Sequence, residues 1–306
     1  MHLTWPGLGA RREAQTRRES LRTRVRRIVA RCWTQRERYR RSVPELPEVE
    51  TIRRQLDPWV SGREIADAGA FPSAKFTPAT EVIGATFERV DRRGKFLIFV
   101  LDDDRELVVH LGMTGQLLPD ADPDDPYLRA WWKFRGGALL GYRDVRRFGR
   151  IRVAHDGQYE GALATLGPEP FSDEFTAESL YGALRRSKRH VKTQLLSQRP
   201  VAGVGNIYAD EACFRSGVNP AARRVTKAQA AALRNAIVEV LRQGVENGGT
   251  TLRDYVNADG HEGGNQHHLD CYGRYGEPCV RCGEELRKTV LDARTTTFCP
   301  NCQPRR

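Results

Sequence analysis

Near the C-terminus, Cys279-Val-Arg-Cys282 and Cys299-Pro-Asn-Cys302 form two C-x2-C knuckles with 16 residues between them. At this spacing four thiolates can close tetrahedrally round one Zn2+, and a closed four-cysteine site leaves the metal no open position for chemistry. The zinc is therefore expected to be structural and to hold a hairpin. A pair of disulfides is the competing reading. It is disfavoured because secretory context is lacking and the other three cysteines, Cys32, Cys213 and Cys271, follow no framework.

Upstream, the hydrophobic pattern changes period once. From about 62 to 155 it consists of short β-type runs with turn signals between them: KFLIFVL (95–101), ELVVHLGM (106–113), AWWKF (130–134), ALLGY (138–142) and GRIRVA (149–154). This favours an antiparallel sandwich or barrel. LGPEPFSDEFT (166–176) reads as a Pro- and acid-rich connector, and the pattern then turns helical through SLYGALRRS, KTQLLSQ and NIYADEACF. A last helix is announced by a capping box, Thr226 with Gln229. It carries Leu233, Ile237, Val240 and Leu241, with Gly244 and the Gly248-Gly249 pair expected to stop it. No run is apolar for the length a membrane span needs.

The formal charge of +11 resembles a nucleic-acid signal until it is apportioned. Residues 1–43 hold 13 arginines and three glutamates, leaving 37 basic against 36 acidic residues for the rest. Basicity thus belongs to the preamble, which reads as a basic arm, an organelle transit segment or translated DNA upstream of the true start. Behind it comes SVPELPEVET (42–51). Pro47 suits the first turn of a helix, and Val49, Ile52, Leu56 and Val60 recur at helical spacing. Glu45 and Glu48 sit where the helix dipole favours negative charge, with Pro44 just before them.

Taken together, PELPEVE (44–50), RRGKFL (92–97), HLGMTG (110–115), DVRRFG (144–149), LGPEP (166–170), VAGVGNIYADEA (201–212), GGTTLRDYV (248–256), QHHLDCYGRYGEPC (266–279) and the terminal finger resemble the formamidopyrimidine-DNA glycosylase family. The resemblance is collinear from Pro44 to the C-terminus. It implies an α+β, multidomain chain: a catalytic β-sandwich with an N-terminal helix (44–165), a linker (166–176), a helix–two-turn–helix domain (177–265) and a zinc finger (266–306). It also implies a base-excision repair enzyme, both glycosylase and abasic-site lyase, acting on double-stranded DNA that carries oxidised purines or abasic sites. The expected setting is cytoplasmic, at the nucleoid. Nothing points to an oligomer, a membrane or a small-molecule cofactor.

Residue by residue, the resemblance makes Pro44 the nucleophile, through a secondary amine that attacks the deoxyribose C1′. An amide nitrogen cannot do this, because its lone pair is delocalised into the carbonyl. Residues 1–43 are accordingly expected to be missing from the mature protein, Val43 marking a valine-coded start. Glu45 would act on the opening sugar oxygen and Glu48 would support the site and a water. Lys95 would act near the damaged nucleotide and in β-elimination, and Arg294 would grip phosphate and assist δ-elimination. Met113, Arg146 and Phe148 would fill the space left by the flipped nucleotide. His110, Asn206 and, more weakly, Lys188 would hold phosphates. The family's DNA-contacting histidine is replaced in PYLRAWWKF, where Tyr127 and Arg129 are offered instead. The segment 248–265 would cover the flipped base.

Two rivals remain. The endonuclease VIII branch removes oxidised pyrimidines, but Leu46 and Met113 argue for the purine branch. If the basic preamble is retained, the alternative is a non-catalytic binder of damaged DNA.

Overall fold

The computed structural model describes residues 43–252 and 255–305. The preamble ahead of Val43, with Cys32, and Arg253 and Asp254 of the 248–265 segment lie outside the described residues.

Helix α1 (Leu46–Val60) starts one residue before Pro47, and Val49, Ile52, Leu56 and Val60 are all buried. This apolar stripe joins one core with two four-stranded antiparallel sheets. The first sheet has strands β1 (Ile65–Ala70), β5 (Gly115–Pro119), β6 (Leu128–Phe134) and β7 (Leu139–Asp144), in the order β1-β6-β7-β5. The second has β2 (Phe87–Arg93), β3 (Phe96–Leu101), β4 (Arg105–His110) and β8 (Arg150–His155), in the order β2-β3-β4-β8. On β3, Leu97, Phe99 and Leu101 point into the core, as do Leu107 and Val109 on β4. The period-2 pattern therefore places Phe96, Val108 and His110 on the opposite, outer face.

Strands β1, β2 and β5 were not individually legible. IADAGA and FERVDRR each bury only two residues, three positions apart, and their place is set by pairing with β6 and β3.

The connector at 166–176 is tightly held. Glu169 pairs with Arg92 at 2.8 Å and Arg93 at 3.0 Å, and accepts from the Gly94 N–H at 2.7 Å. Helices α2 (Ala177–Arg185), α3 (Val191–Leu196), α4 (Asn206–Ser216) and α5 (Lys227–Glu246) follow. Thr226 and Gln229 form the expected reciprocal cap of α5. Gly244, however, does not end that helix, which runs to Glu246. A Cβ at 244 would lie 2.5 Å from Tyr208 Oη and 2.8 Å from Pro47 Cγ. This glycine is a close-approach position at which α5 packs on α1 and α4.

At the C-terminus β9 (Arg287–Leu291) and β10 (Arg294–Phe298) form a hairpin in which Arg294 is paired with Leu291. The two-residue turn places Asp292 and Ala293 at φ 46° and 59°, the backbone of a type I′ turn. The hairpin is pinned to the helices from below. Lys192 of α3 and Asp210 of α4 make a fully buried ion pair at 2.6 Å. Lys192 also donates to Thr295 O at 2.9 Å, while Asp210 accepts from the Thr297 N–H at 3.0 Å.

Candidate active site and nucleic-acid interface

Glu45 is the residue on which the domains meet. From the start of α1 its carboxylate accepts backbone N–H groups from Gly205 (2.7 Å), Ile207 (2.8 Å) and Tyr208 (3.3 Å) at the N-terminus of α4. Those amides are the unpaired donors of a helix start, where the dipole favours an anion. The Leu46 N–H donates to Gly203 O at 3.0 Å beside it. Burial pushes the Glu45 pKa up, while Lys95 and the three amides pull it back.

Glu48, one turn on, is equally buried. It accepts from the Glu45 N–H (2.8 Å), the Thr250 N–H (2.7 Å) and the Tyr208 hydroxyl (2.9 Å). Burial, reinforced by the neighbouring Glu45 charge, raises its pKa to about 7. A carboxyl that titrates near neutral pH can take up or release a proton in general acid–base work. Asn265 donates to Thr250 Oγ1 at 2.9 Å, tying the end of the 248–265 segment to the same cluster.

Pro44 is buried at the mouth of this cluster. Together with Val43, Glu48, Met113, Ile207, Thr250 and Tyr255 it lines a cavity of about 10 Å3. Lys95, buried just before β3, senses Glu45, Glu48 and Arg294. Burial drives its pKa down, the two acids oppose this, and Arg294 adds to it. Arg294 itself is exposed at the hairpin tip. The finger hairpin therefore carries the Arg294 charge within electrostatic reach of Lys95.

His110 closes β4 and packs against the Phe96 ring at 4.8 Å between centroids. Burial, with Lys95 and Arg150 nearby, lowers its pKa to about 4, so the imidazole is neutral at pH 7. The Gly112 N–H points at Nδ1 from 3.2 Å, which makes Nδ1 the acceptor and assigns the ring proton to Nε2.

The loops after β4 and β7 carry the three expected wedge residues, and one buried carboxylate organises both. Asp144 accepts from Thr114 Oγ1 (2.6 Å), the Arg146 N–H (3.2 Å) and the Gly149 N–H (2.8 Å). Gly112, at φ 69°, lies so close to the second loop that a Cβ would be 2.5 Å from Gly149 N. Met113 is half-buried and faces the cavity at Pro44, whereas Phe148 is 51% exposed with the Arg146 guanidinium 4.9 Å above its ring.

Tyr127 is also exposed, with Arg143 stacked 5.0 Å from its ring centroid. The expectation for Arg129 is corrected. Its guanidinium is buried and donates to the carbonyls of Asp144 (2.9 Å) and Pro126 (2.9 Å), so it braces the wedge loop and has no free face for a phosphate. Asn206 opens α4 and donates to Tyr272 Oη at 3.3 Å, and Lys188 is exposed on the turn before α3. Neither is drawn into the acid cluster. Sequence reasoning had assigned nothing to Tyr208, Thr250, Asp144 or Asn265. Tyr208 and Asp144 lie inside the motifs VGNIYADEA and DVRRFG, so the only signal was their company.

The four knuckle cysteines present sulfur atoms all within 4.8 Å of one another, with Cys279 and Cys302 at 3.9 Å and Cys282 and Cys299 at 3.5 Å. Zinc–sulfur bonds of about 2.3 Å in a tetrahedron give sulfur–sulfur edges of about 3.8 Å, so the donor set fits one structural Zn2+. The Arg281 N–H and the Cys302 N–H each approach a thiol sulfur at 3.4 Å, second contacts that favour thiolate ligands. Among the described residues no helix is long and apolar enough to cross a membrane.

A site of this kind, seated between a β-sandwich and a helical module that carries a zinc finger, places the chain in the class of DNA glycosylases that also cut at the lesion. Comparison with known proteins narrows the class. Residues 43–151 match the formamidopyrimidine-DNA glycosylase N-terminal domain, 166–256 its H2TH domain, and 276–305 the zinc finger found in FPG and IleRS. The formamidopyrimidine-DNA glycosylase of Bacillus licheniformis is 44% identical over 275 residues, spanning 85% of this chain and 99% of that protein. The crystal structure of MutM (Fpg) from Thermus thermophilus superposes with a TM-score of 0.80 at 44% identity, covering 86% of this chain and all of that one. A Lactococcus lactis Fpg mutant in complex with Fapy-dG-containing DNA superposes at 0.78 with 33% identity and the same coverage. The chain belongs to the formamidopyrimidine-DNA glycosylase family.

Proposed function

We propose that the protein flips oxidised purines out of duplex DNA, excises them through a covalent bond to Pro44, and opens the strand by successive β- and δ-elimination. The observation that carries this reading is the cavity that Pro44 and Glu48 line together, with Glu45 donating its N–H to Glu48 and Lys95 within electrostatic reach of both acids and of Arg294 from the finger. A proline amine that displaces the base at C1′ becomes an iminium. This acidifies C2′ and lets the 3′ phosphate leave, and the 5′ phosphate follows. Glu45, fixed by three amides, stands to protonate the opening sugar oxygen. Glu48, with a pKa of about 7, holds or passes the proton that the amine must lose. Lys95 and Arg294 supply positive charge to the leaving phosphates. Neutral His110, through Nε2–H, and Asn206 and Lys188 hold phosphates, while Met113, Arg146 and Phe148 replace the extruded nucleotide.

In this reading the active form is the one in which Pro44 carries a free amine, since acylation by Val43 removes the nucleophile. The working units are 44–165, 166–176, 177–265 and 266–306, acting as a monomer at the nucleoid in the cytoplasm. The test compares a form whose verified first residue is Pro44 with the intact 306-residue chain, on duplex containing 8-oxoguanine opposite cytosine. With borohydride the first should be trapped on DNA. Without it, a one-nucleotide gap should appear. Equal trapping by a chain verified to begin at Met1 overturns the role of Pro44, and faster processing of oxidised pyrimidines overturns the purine assignment.

A further inference from the structure

A second cleft on the described surface is distinct from the pocket at Pro44. It measures about 540 Å3 and lies on the outer face of the second sheet, between His110 and Phe148 at one end and the segment after β8 at the other. Arg150 and Arg152 of β8 line it, and the sole carboxylate on its wall is Glu160. Arg150 is directly paired with His110 across the β4–β8 ladder, and Arg152 with Val108, so all project on the outer face.

Arg150 is exposed, and its side chain makes no ion pair or hydrogen bond among the described residues. Arg152 has only the exposed Glu160 at 3.9 Å, too long for a hydrogen bond. Two guanidiniums on the wall of a concave cleft, with one weak acid between them, are an uncompensated charge. The rest of the chain beyond residue 43 has almost no net charge to explain them as general basicity. Their spacing is informative. Residues i and i+2 of a strand are about 6.7 Å apart, close to the repeat of consecutive phosphates along one DNA strand.

We propose that Arg150 and Arg152 form a phosphate-binding shelf that continues the DNA track past His110 and grips the backbone of one flank of the duplex, outside the lesion. The proposal rests on the reading above that the His110–Phe148 edge faces DNA. Arginine suits the task because its planar fork bonds phosphate oxygens bidentately and each contact releases counterions. The shelf sets footprint and salt dependence, and it leaves the chemistry to the pocket at Pro44.

Binding is measured by fluorescence anisotropy over a range of salt, on duplexes carrying a reduced abasic analogue and shortened on either flank. Removing both charges, R150A with R152A, should lower the slope of log K against log salt by about 1.8 and weaken binding tens-fold at moderate salt. The loss should appear with a long arm on one flank only and vanish when that arm is trimmed. The double lysine variant, R150K with R152K, should keep the slope, because it keeps the charges. Borohydride trapping at saturating DNA should be unchanged in all of them. An unaltered slope, a loss indifferent to which flank is trimmed, or a lysine variant as weak as the alanine one overturns the proposal. All variants are made in the form that begins at Pro44, and failure of the Pro44 reading would show separately, as absence of trapping by that unsubstituted form with its salt slope intact.

Discussion

Replacing Lys192 with methionine tests how the finger is held to the catalytic half of the molecule. Lys192 and Asp210 are 0% and 1% exposed and 2.6 Å apart, so removing the cation strands a carboxylate inside the protein and also frees Thr295 O. Breaking one side of a buried pair costs about 3–5 kcal/mol, because the partner's desolvation is no longer offset. At roughly 2–4 °C per kcal/mol for a domain of this size, the melting temperature should fall by about 6–20 °C.

Burial already raises the Asp210 pKa, and Lys192 is the main influence holding it down, so K192M raises it further. A carboxyl whose folded pKa lies above its unfolded value binds more protons when folded. Its stabilisation is present at low pH and is lost as pH rises through the folded pKa. The deficit of K192M should therefore be larger at pH 8 than at pH 6. The assay is denaturant and thermal unfolding of the zinc-loaded protein at both pH values, with zinc release followed in parallel. Adding D210N should recover most of the loss, since an asparagine oxygen can still accept from Thr297 N–H while the buried charge is gone. A single variant within about 1 kcal/mol of the parent, or a double variant as unstable as the single, would refute the reasoning.

Cys282→Ser should release the metal and loosen the β9–β10 hairpin, taking Arg294 from the site. Strand cleavage should fall while the β-sandwich keeps its stability, and full activity without bound zinc in a metal assay would count against this. Phe148→Ala should slow processing of a damaged base in duplex more than of an abasic site, since the exposed ring acts on extrusion. Equal losses in single-turnover rates on the two substrates would sink the wedge role.

Much of the architecture was written locally. The helical spacing of Val49, Ile52, Leu56 and Val60, the Thr226–Gln229 cap and the alternation in β3 and β4 depend on neighbours a few residues away. The finger's cysteines are likewise legible because each knuckle is fixed by a two-residue spacer. Family motifs then named the acids, the lysine and the wedge.

What the sequence could not decide was which distant groups would satisfy those side chains. Glu45 reads as an acid favoured by the dipole of its own helix, yet it also caps α4, some 160 residues on, where three helix-start amides bind its carboxylate. Arg129 reads as a phosphate ligand, yet buried carbonyls claim it. Gly244 reads as a stop, yet it is the gap through which Tyr208 reaches Glu48. Hydrophobic periodicity reports which face of an element is buried. The partner of a buried charge is set by desolvation and hydrogen bonding across the packed chain, and these act only once the chain has folded.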